Sequence, residues 1–484
     1  MNRTMTNRMA ANPPAANPPA ANPRHRVRSR PPALLAELFE RQTGRKYEPP
    51  PSATYRNDTP SPVHAVPEFA DMGGVLIAYP GTVAQPTSHI QLPPTGPRTF
   101  GIPDELIIRM QQADAERPVH IFVLCDDAAE LPAVRERLGR VAETMDLPYD
   151  PDLIHFVPWD TDTYWTRDYG PWWVKNEDSG RYGIAKHIYT SLGGGSVGLV
   201  EGAEHVTARE GLGIFRPNDD SGAAKFSDYL NAPIRAWNAA HWGGDGHQKK
   251  LAPIPPHDWY CTGLLEVGGN YMVTDGDAVA STYLVATQNE LPVAGKGPSD
   301  GPPSAEVLAE RMKYILDQFN RFMGSHTYYA AQDPTGTYIG HIDCWGKFLA
   351  PGKILIADSE DPDISAKFAE ICAFFQKNGF DVTRVMCQDV YIPQVTPDQA
   401  ATTAAYTNSL ILNDHVYVPL AGHPHEENDQ AALDAYRKAL PDHEIVGIPS
   451  KPDTPWLGTD ALHCRTHGVP RDVIDAWSRA QVPA

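Results

Sequence analysis

The feature that most limits what this chain can become is alternation. Short apolar, β-branched runs stand at "GGVLIAYPG" (73–81), "HIFVLC" (120–125), "LIHFVP" (153–158), "KILIAD" (353–358), "VTRVMC" (382–387) and "SLILNDHVYVPL" (409–420). Between them lie stretches of helical period: "AELPAVRERLGRVAETM" (129–145), "SAEVLAERMKYILDQFNRFMG" (304–324), "ISAKFAEICAFFQKNGF" (364–380) and "NDQAALDAYRKAL" (428–440). Apolar runs bounded by turn residues read as buried strands, and helices placed between them read as crossovers that cover a sheet. The fold class is therefore α/β. Residues 1–50 break the pattern with an AANPP repeat and an Arg-rich stretch. They offer little to bury and much Pro, which predicts a disordered tail ahead of one folded domain over 51–484.

Charge narrows the function. With 41 Lys and Arg against 60 Asp and Glu, the formal net charge is −19. Nucleic acid and anionic membranes need clustered cations, so neither is an expected partner. No apolar run is long enough to span a bilayer, and the N-terminus lacks an apolar signal core, which points to the cytoplasm. The six cysteines show neither CxxC pairing nor disulfide-dense spacing and read as reduced thiols. No Rossmann GxGxxG stands directly after a strand-like run, no GxSxG reads as a nucleophile elbow, and no P-loop or HExxH motif occurs. Three Gly- and Pro-rich stretches, 191–213, 241–258 and 290–304, read as long loops.

Chemistry concentrates in four phrases. "YWTRDYGPWW" (164–173) sets Asp168 among Trp165, Tyr169, Trp172 and Trp173, a setting suited to a flat cation: carboxylate oxygens match a guanidinium fork and aromatic faces add attraction. The plain alternative is an Arg–Asp pair among core tryptophans. "LLEVGGNYMVTDG" (264–276) puts Asn270 after a Gly pair that lets backbone approach a ligand, or else forms a hairpin. "GHIDCW" (340–345) separates His341 from Asp343 by two, which on an extended strand aims both at one face and Cys344 at the other. "PWLGTDALHCRTHGVP" (455–470) surrounds Cys464 with His463, Arg465 and His467, cations that favour thiolate. A thiol, an imidazole, two carboxylates and aromatic walls together suggest attack on an electron-poor carbon.

Taken in order, "YWTRDYGPWW", "EVGGNYMVTDG", "GHIDCW", "YTNSLILND" and "LHCRTHGVP" resemble the Porphyromonas-type peptidylarginine deiminases, relatives of agmatine deiminases in the guanidine-modifying, or pentein, superfamily. The resemblance implies a five-bladed α/β propeller around a central site. It implies Cys464 as nucleophile, His341 as general acid and base, Asp168 and Asp343 as guanidinium carboxylates and Asn408 as an active-site amide. Trp165, Tyr338 and Asn270 would contact substrate, and no metal or organic cofactor would be needed. "GIFRPNDD" (213–220) resembles a family segment with two carboxylate-binding arginines; Arg216 matches the second, and Ile214 replaces the first. The implied reaction is deimination of arginine in peptides or proteins to citrulline and ammonia. The alternative substrate is agmatine, and a Cys-His-Asn hydrolase would leave Asp168 without a task.

Overall fold

The computed structural model describes residues 62–81, 98–114, 116–189, 217–242, 252–274, 278–283, 285, 305–335, 340–390, 402–451, 456 and 459–482. The tail expected over 1–50, the loops 191–213 and 290–304, and residues 243–251 of the stretch 241–258 lie outside these residues, as do Arg216 and Tyr338.

The architecture is mixed α/β, and five sheets repeat one pairing scheme. A first strand runs antiparallel to a second, a helix follows, and a third strand lies parallel to the second. One unit holds Trp173–Asn176 (β5), Tyr182–Tyr189 (β6), helix Pro217–Trp242 (α4) and Asp258–Glu266 (β7), with Val63–Ala65 (β1) added at the β5 edge. The next holds Met272–Thr274 (β8), Ala278–Thr282 (β9), Ala305–Met323 (α5) and Thr327–Ala331 (β10). A third holds Gly346–Ala350 (β11), Lys353–Asp358 (β12), Pro362–Lys377 (α6) and Asp381–Met386 (β13). A fourth holds Leu410–Leu412 (β16), His415–Leu420 (β17), Glu426–Ala439 (α7) and Glu444–Pro449 (β18). The fifth joins the two ends of the chain. His467–Pro470 (β19) runs antiparallel to Met72–Ala78 (β2), which is parallel to His120–Leu124 (β3) and through it to Ile154–Val157 (β4). Asp104–Met110 (α1) and Leu131–Met145 (α2) are its crossovers, and Arg471–Gln481 (α8) packs on β2 and α4. A small hairpin, Asp389–Val390 (β14) with Thr402–Thr403 (β15), lies between the third and fourth units.

Local chemistry accounts for these boundaries. Asp361 caps α6 by accepting from Asp363 N (2.8 Å) and Ile364 N (3.2 Å), and Asn378-Gly379, with Gly379 at φ 89°, ends it. The run 409–420 is two strands rather than one. Asn413 takes φ 56° and reverses the chain, a conformation Asn tolerates, while apolar residues on both sides disguise the turn. The strand centres are sealed: Val75, Ile121, Ile354, Leu355, Val416 and Tyr417 are fully buried. Truncating such an aliphatic residue costs about 2–5 kcal/mol, so the sheets form a stiff frame.

The frame has one consequence for function. The turn just before the first strand of each unit carries a polar word of the sequence: Asp168 before β5, Gly268–Asn270 before β8, His341–Asp343 before β11, Asn408 before β16 and Cys464 before β19.

Candidate active site

Those five turns meet. Gly269 stands at the meeting point: a Cβ built there would lie 2.7 Å from His341 Nδ1, 2.9 Å from Asp168 Oδ1 and 3.2 Å from Asp343 Oδ2. Asp343 Oδ2 in turn lies 3.4 Å from Cys464 Sγ. Two carboxylates and an imidazole thus crowd around one point, and a thiol contacts one of the carboxylates.

Each side chain is placed by its turn. Asp168 belongs to the four-residue helix Thr166–Tyr169 (α3), closed by Gly170 N–H donating to Thr166 O at 2.7 Å. Gly170 is extended (ψ 173°) because Pro171 follows, which forbids another helical residue. The Gly269 N–H donates to Asp168 Oδ1 at 3.2 Å. Asn270 is fully buried, and its side-chain oxygen accepts from Thr282 N (2.9 Å), Thr282 Oγ1 (2.9 Å) and Ile342 N (3.3 Å). It ties the glycine turn to the His341 turn, so its place in the structure is that of a brace.

The "GHIDCW" phrase is not a strand. His341 is extended (φ −81°, ψ 142°) and Ile342–Cys344 form a single 3₁₀ turn before β11. A 3₁₀ turn advances about 120° per residue rather than a strand's 180°. Cys344 therefore does not face away from the pair: its Sγ lies 3.8 Å from Asp343 Oδ1. His341 Nδ1 is 4.0 Å from Asp168 Oδ1 and is buried without a hydrogen-bond partner among the described residues.

Asn408 anchors the thiol. Its Oδ1 accepts from Cys464 N (3.1 Å) and Ala461 N (3.0 Å), and its Nδ2 donates to Cys464 Sγ at 3.1 Å. The cations flanking Cys464 in sequence do not serve it. Arg465 turns to Asp460 (2.8 Å) and the Gly101 carbonyl, beneath the rings of Tyr164 and Trp456. His467 Nδ1 lies 3.1 Å from the Gly468 carbonyl oxygen. His463 Nδ1 meets Asp343 Oδ2 at 2.7 Å, and its Nε2 meets Glu68 Oε2 at 2.9 Å. Burial first, then Asp343, Asp460 and Asp168, push the Cys464 thiol well above its ordinary value, so the free site holds a thiol rather than the thiolate that the flanking sequence suggests. Burial lowers His341, with partial opposition from Asp343, which leaves a neutral imidazole. Burial raises Asp343, but the hydrogen bond and charge of His463 outweigh it and keep it ionised.

The Trp165 indole N–H donates to Asp460 Oδ2 at 2.8 Å, and Tyr164 packs edge-on against the ring at 5.3 Å. Glu68, from the β1–β2 connection, carries no motif in sequence. Yet it accepts from Lys347 at 2.9 and 2.8 Å and from Ile411 N at 2.8 Å. Burial would raise its carboxyl, but Lys347, His463 and Arg167 hold it well below the carboxylate range. No group of three or more His, Cys, Asp or Glu among the described residues is arranged to hold a metal ion.

Comparison with known proteins points one way on architecture and two ways on substrate. Residues 317–470 match the family model of Porphyromonas-type peptidyl-arginine deiminases. A provisionally named agmatine deiminase 1 of Listeria monocytogenes is 24% identical over 343 residues, covering 66% of this chain and 79% of that protein. A provisionally named agmatine deiminase of Vibrio parahaemolyticus is 28% identical over 152 residues, and the chain spans 41% of that relative's length. Among solved structures, the agmatine deiminase of Enterococcus faecalis superposes with a TM-score of 0.55 at 20% identity, over 86% of this chain and 98% of that one. A provisionally named arginine deiminase of Porphyromonas gingivalis gives 0.51 at 18% identity, over 85% and 99%. At these identities the structural likeness speaks for the fold.

Proposed function

We propose that the chain is a guanidine-modifying enzyme of the pentein superfamily, akin to the Porphyromonas-type peptidylarginine deiminases and the agmatine deiminases, and that it hydrolyses a guanidinium group to a ureido group and ammonia. The observation that carries this reading is the convergence of His341, Asp168 and Asp343 on the space left by the missing Cβ of Gly269, with Cys464 in contact with Asp343. We further infer that the five repeated units surround this space as the blades of a pseudo-fivefold propeller, which accounts for five turns reaching one point.

A guanidinium is cationic at every physiological pH, planar and rich in N–H donors. Asp168 and Asp343 would receive those donors. The positive charge would offset the carboxylates that keep Cys464 protonated, and the thiol proton would pass to the free nitrogen of neutral His341. The sulfur then bonds to the central carbon. The carbon–nitrogen bond breaks as His341 returns its proton to the departing amine, which leaves as ammonia. Water next gives a proton to His341 and bonds to the carbon as hydroxyl; the carbon–sulfur bond breaks, the hydroxyl proton passes to Cys464 as the carbonyl forms, and the proton on His341 is released to the solvent, where ammonia takes one up. The sum is guanidinium plus water to ureido product plus ammonium. Proton shuttling of this kind contributes about 10²–10⁴-fold.

For the substrate, an agmatine-type small alkylguanidine is the first reading, because the Listeria relative and the Enterococcus faecalis structure, matched over 66% and 86% of the chain, are named agmatine deiminases, although the Porphyromonas gingivalis structure, matched over 85%, is named an arginine deiminase. The second reading, peptidyl arginine, is favoured by the family model over residues 317–470, the third of the chain that carries His341, Asp343, Asn408 and Cys464. Ureido formation from agmatine, free arginine, an internal-arginine peptide and a C-terminal-arginine peptide decides between them. Agmatine preferred over every peptide supports the first reading, and turnover of peptides alone supports the second. No ureido product from any of the four refutes the guanidine reading itself.

A further inference from the structure

His463 has carboxylates on both sides. Its Nδ1 is 2.7 Å from Asp343 Oδ2 and its Nε2 is 2.9 Å from Glu68 Oε2. Ionised carboxylates only accept hydrogen bonds, and a neutral imidazole carries one N–H. A neutral ring would therefore aim a lone pair at one of the two anions. We propose that Glu68, backed by Lys347, keeps a proton on both ring nitrogens of His463, and that this imidazolium is the positioning group that fixes Asp343 for guanidinium binding. The inference rests on the guanidine-hydrolase reading of the site.

The surroundings are built for it. His463 and Lys347 are nearly sealed from solvent, with side chains 4% and 3% exposed. Lys347 Nζ donates to both Glu68 oxygens and to the Ser409 carbonyl at 2.6 Å, and Ile411 N donates to Glu68 Oε1, so Glu68 cannot swing away from His463. Two further cationic or titratable groups face the ring. Arg167 on α3 donates from Nε to the His463 carbonyl at 3.2 Å and lies 3.9 Å from Glu68, and on β19 burial first, then Arg167, hold the His467 imidazole well below its ordinary value, so it stays neutral. Arg167 opposes a charged ring, and the two carboxylates in direct contact favour it. Cys464 lies beyond Asp343, sharing Oδ2 with His463. The imidazolium thus holds from behind the same carboxylate oxygen that the thiol meets in front.

The test pairs spectroscopy with kinetics. In ¹⁵N-histidine-labelled protein, with the His463 signal assigned by His463→Gln, the wild-type ring should show both N–H protons at neutral pH. Glu68→Gln should show one, and Glu68→Asp should restore two. With the substrate the panel identifies, the alkaline limb of kcat/KM should move to lower pH by at least about one unit in Glu68→Gln, while activity near pH 6 stays within about threefold of wild type. A singly protonated His463 in the wild type, or superimposable pH profiles, overturns the proposal. If Glu68→Gln does not fold, Glu68→Gln/Lys347→Met removes both charges together and is read in the same two ways. If the spectra behave as expected and no guanidine is turned over, the His463 arrangement stands and the guanidine-hydrolase reading falls.

Discussion

Adding one methyl group at Gly269 tests the site more sharply than deleting any of its polar groups. Gly269 does not occupy the left-handed region, so alanine is admissible to the backbone there, and its N–H can still donate to Asp168. The new Cβ would nonetheless come within 2.7 Å of His341 Nδ1, 2.9 Å of Asp168 Oδ1 and 3.2 Å of Asp343 Oδ2. The first two distances are below van der Waals contact, so the imidazole and a carboxylate must withdraw, and the methyl takes up part of the space a guanidinium needs. Overpacking of this kind costs roughly 1–3 kcal/mol of stability. For a domain of this size that is a Tm drop of under about 10 °C. The effect on reaction is larger. A lost charge-assisted bond is worth about 1.5–3 kcal/mol, or roughly 10–150-fold, and a reacting group displaced by about 1 Å costs on the order of 10²-fold. Gly269→Ala should therefore lower kcat/KM for ureido formation by about 10²-fold or more while the protein stays folded. The companion change is Gly139→Ala on α2, where the new Cβ meets only Tyr149 at 3.7 Å. It should leave activity unchanged and hold or raise Tm, since Ala is the better helix former. Gly269→Ala with kcat/KM within threefold of wild type would mean that the three polar groups do not enclose the reacting carbon.

Other outcomes follow from the same geometry. Cys464→Ala should abolish ureido formation, whereas Cys344→Ala, whose thiol meets the other oxygen of Asp343 at 3.8 Å, should retain activity within about tenfold; equal losses would remove the distinction between the two thiols. Asp168→Asn should reduce kcat/KM by at least about tenfold through loss of one charge-assisted bond, and near-wild-type kinetics would return the aromatic phrase around it to a structural role. Because burial and neighbouring carboxylates raise the Cys464 thiol, its alkylation by iodoacetamide in the substrate-free protein should still be accelerating above pH 9, and a plateau below pH 8 would contradict that electrostatic reading. Burial lowers His257 to about 3, so the unfolded chain binds a proton below pH 6.5 that the folded chain does not; between pH 6.5 and 5 this one group should cost about 2 kcal/mol, read as a fall in Tm, and an unchanged Tm across that interval would refute it.

How much of this was legible in sequence depends on range. Runs such as "KILIAD" announce β12 to the residue, because a buried strand needs nothing beyond apolar side chains and turn residues at its ends. The helices of clear period appear within a residue or two at most ends. Helix α4 was not legible, since Pro233 interrupts its interior. The five-unit repeat was invisible because strand pairing is made by backbone and leaves no shared side-chain pattern. At the site, the polar words stood out, but the direction of their electrostatics did not. His463, Arg465 and His467 look like thiol activators when written in a line, while in space the first serves two carboxylates, the second Asp460, and the third lies against a backbone carbonyl. Glu68 could not have been found, because its partners come from β11, β16 and the Cys464 turn, all distant in sequence.

The charge arrangement also bears on how a reaction at this site would end. Asp168 and Asp343 are held on a stiff frame beside a thiol that stays protonated while they stand unneutralised. In the proposed reaction the substrate enters as a cation and supplies the charge that favours thiolate. The ureido product is neutral and loses that pairing with both carboxylates, so its hold on the site falls as the last bond breaks. Ammonia leaves as the other product and takes a proton once in water. Neutral ureas and amides would satisfy some of the same hydrogen bonds but would leave the carboxylates uncompensated and the sulfur protonated. Discrimination would then come from charge at the nucleophile as well as from fit in the pocket, and competition by an uncharged urea isostere should be weak relative to an amidinium of the same shape.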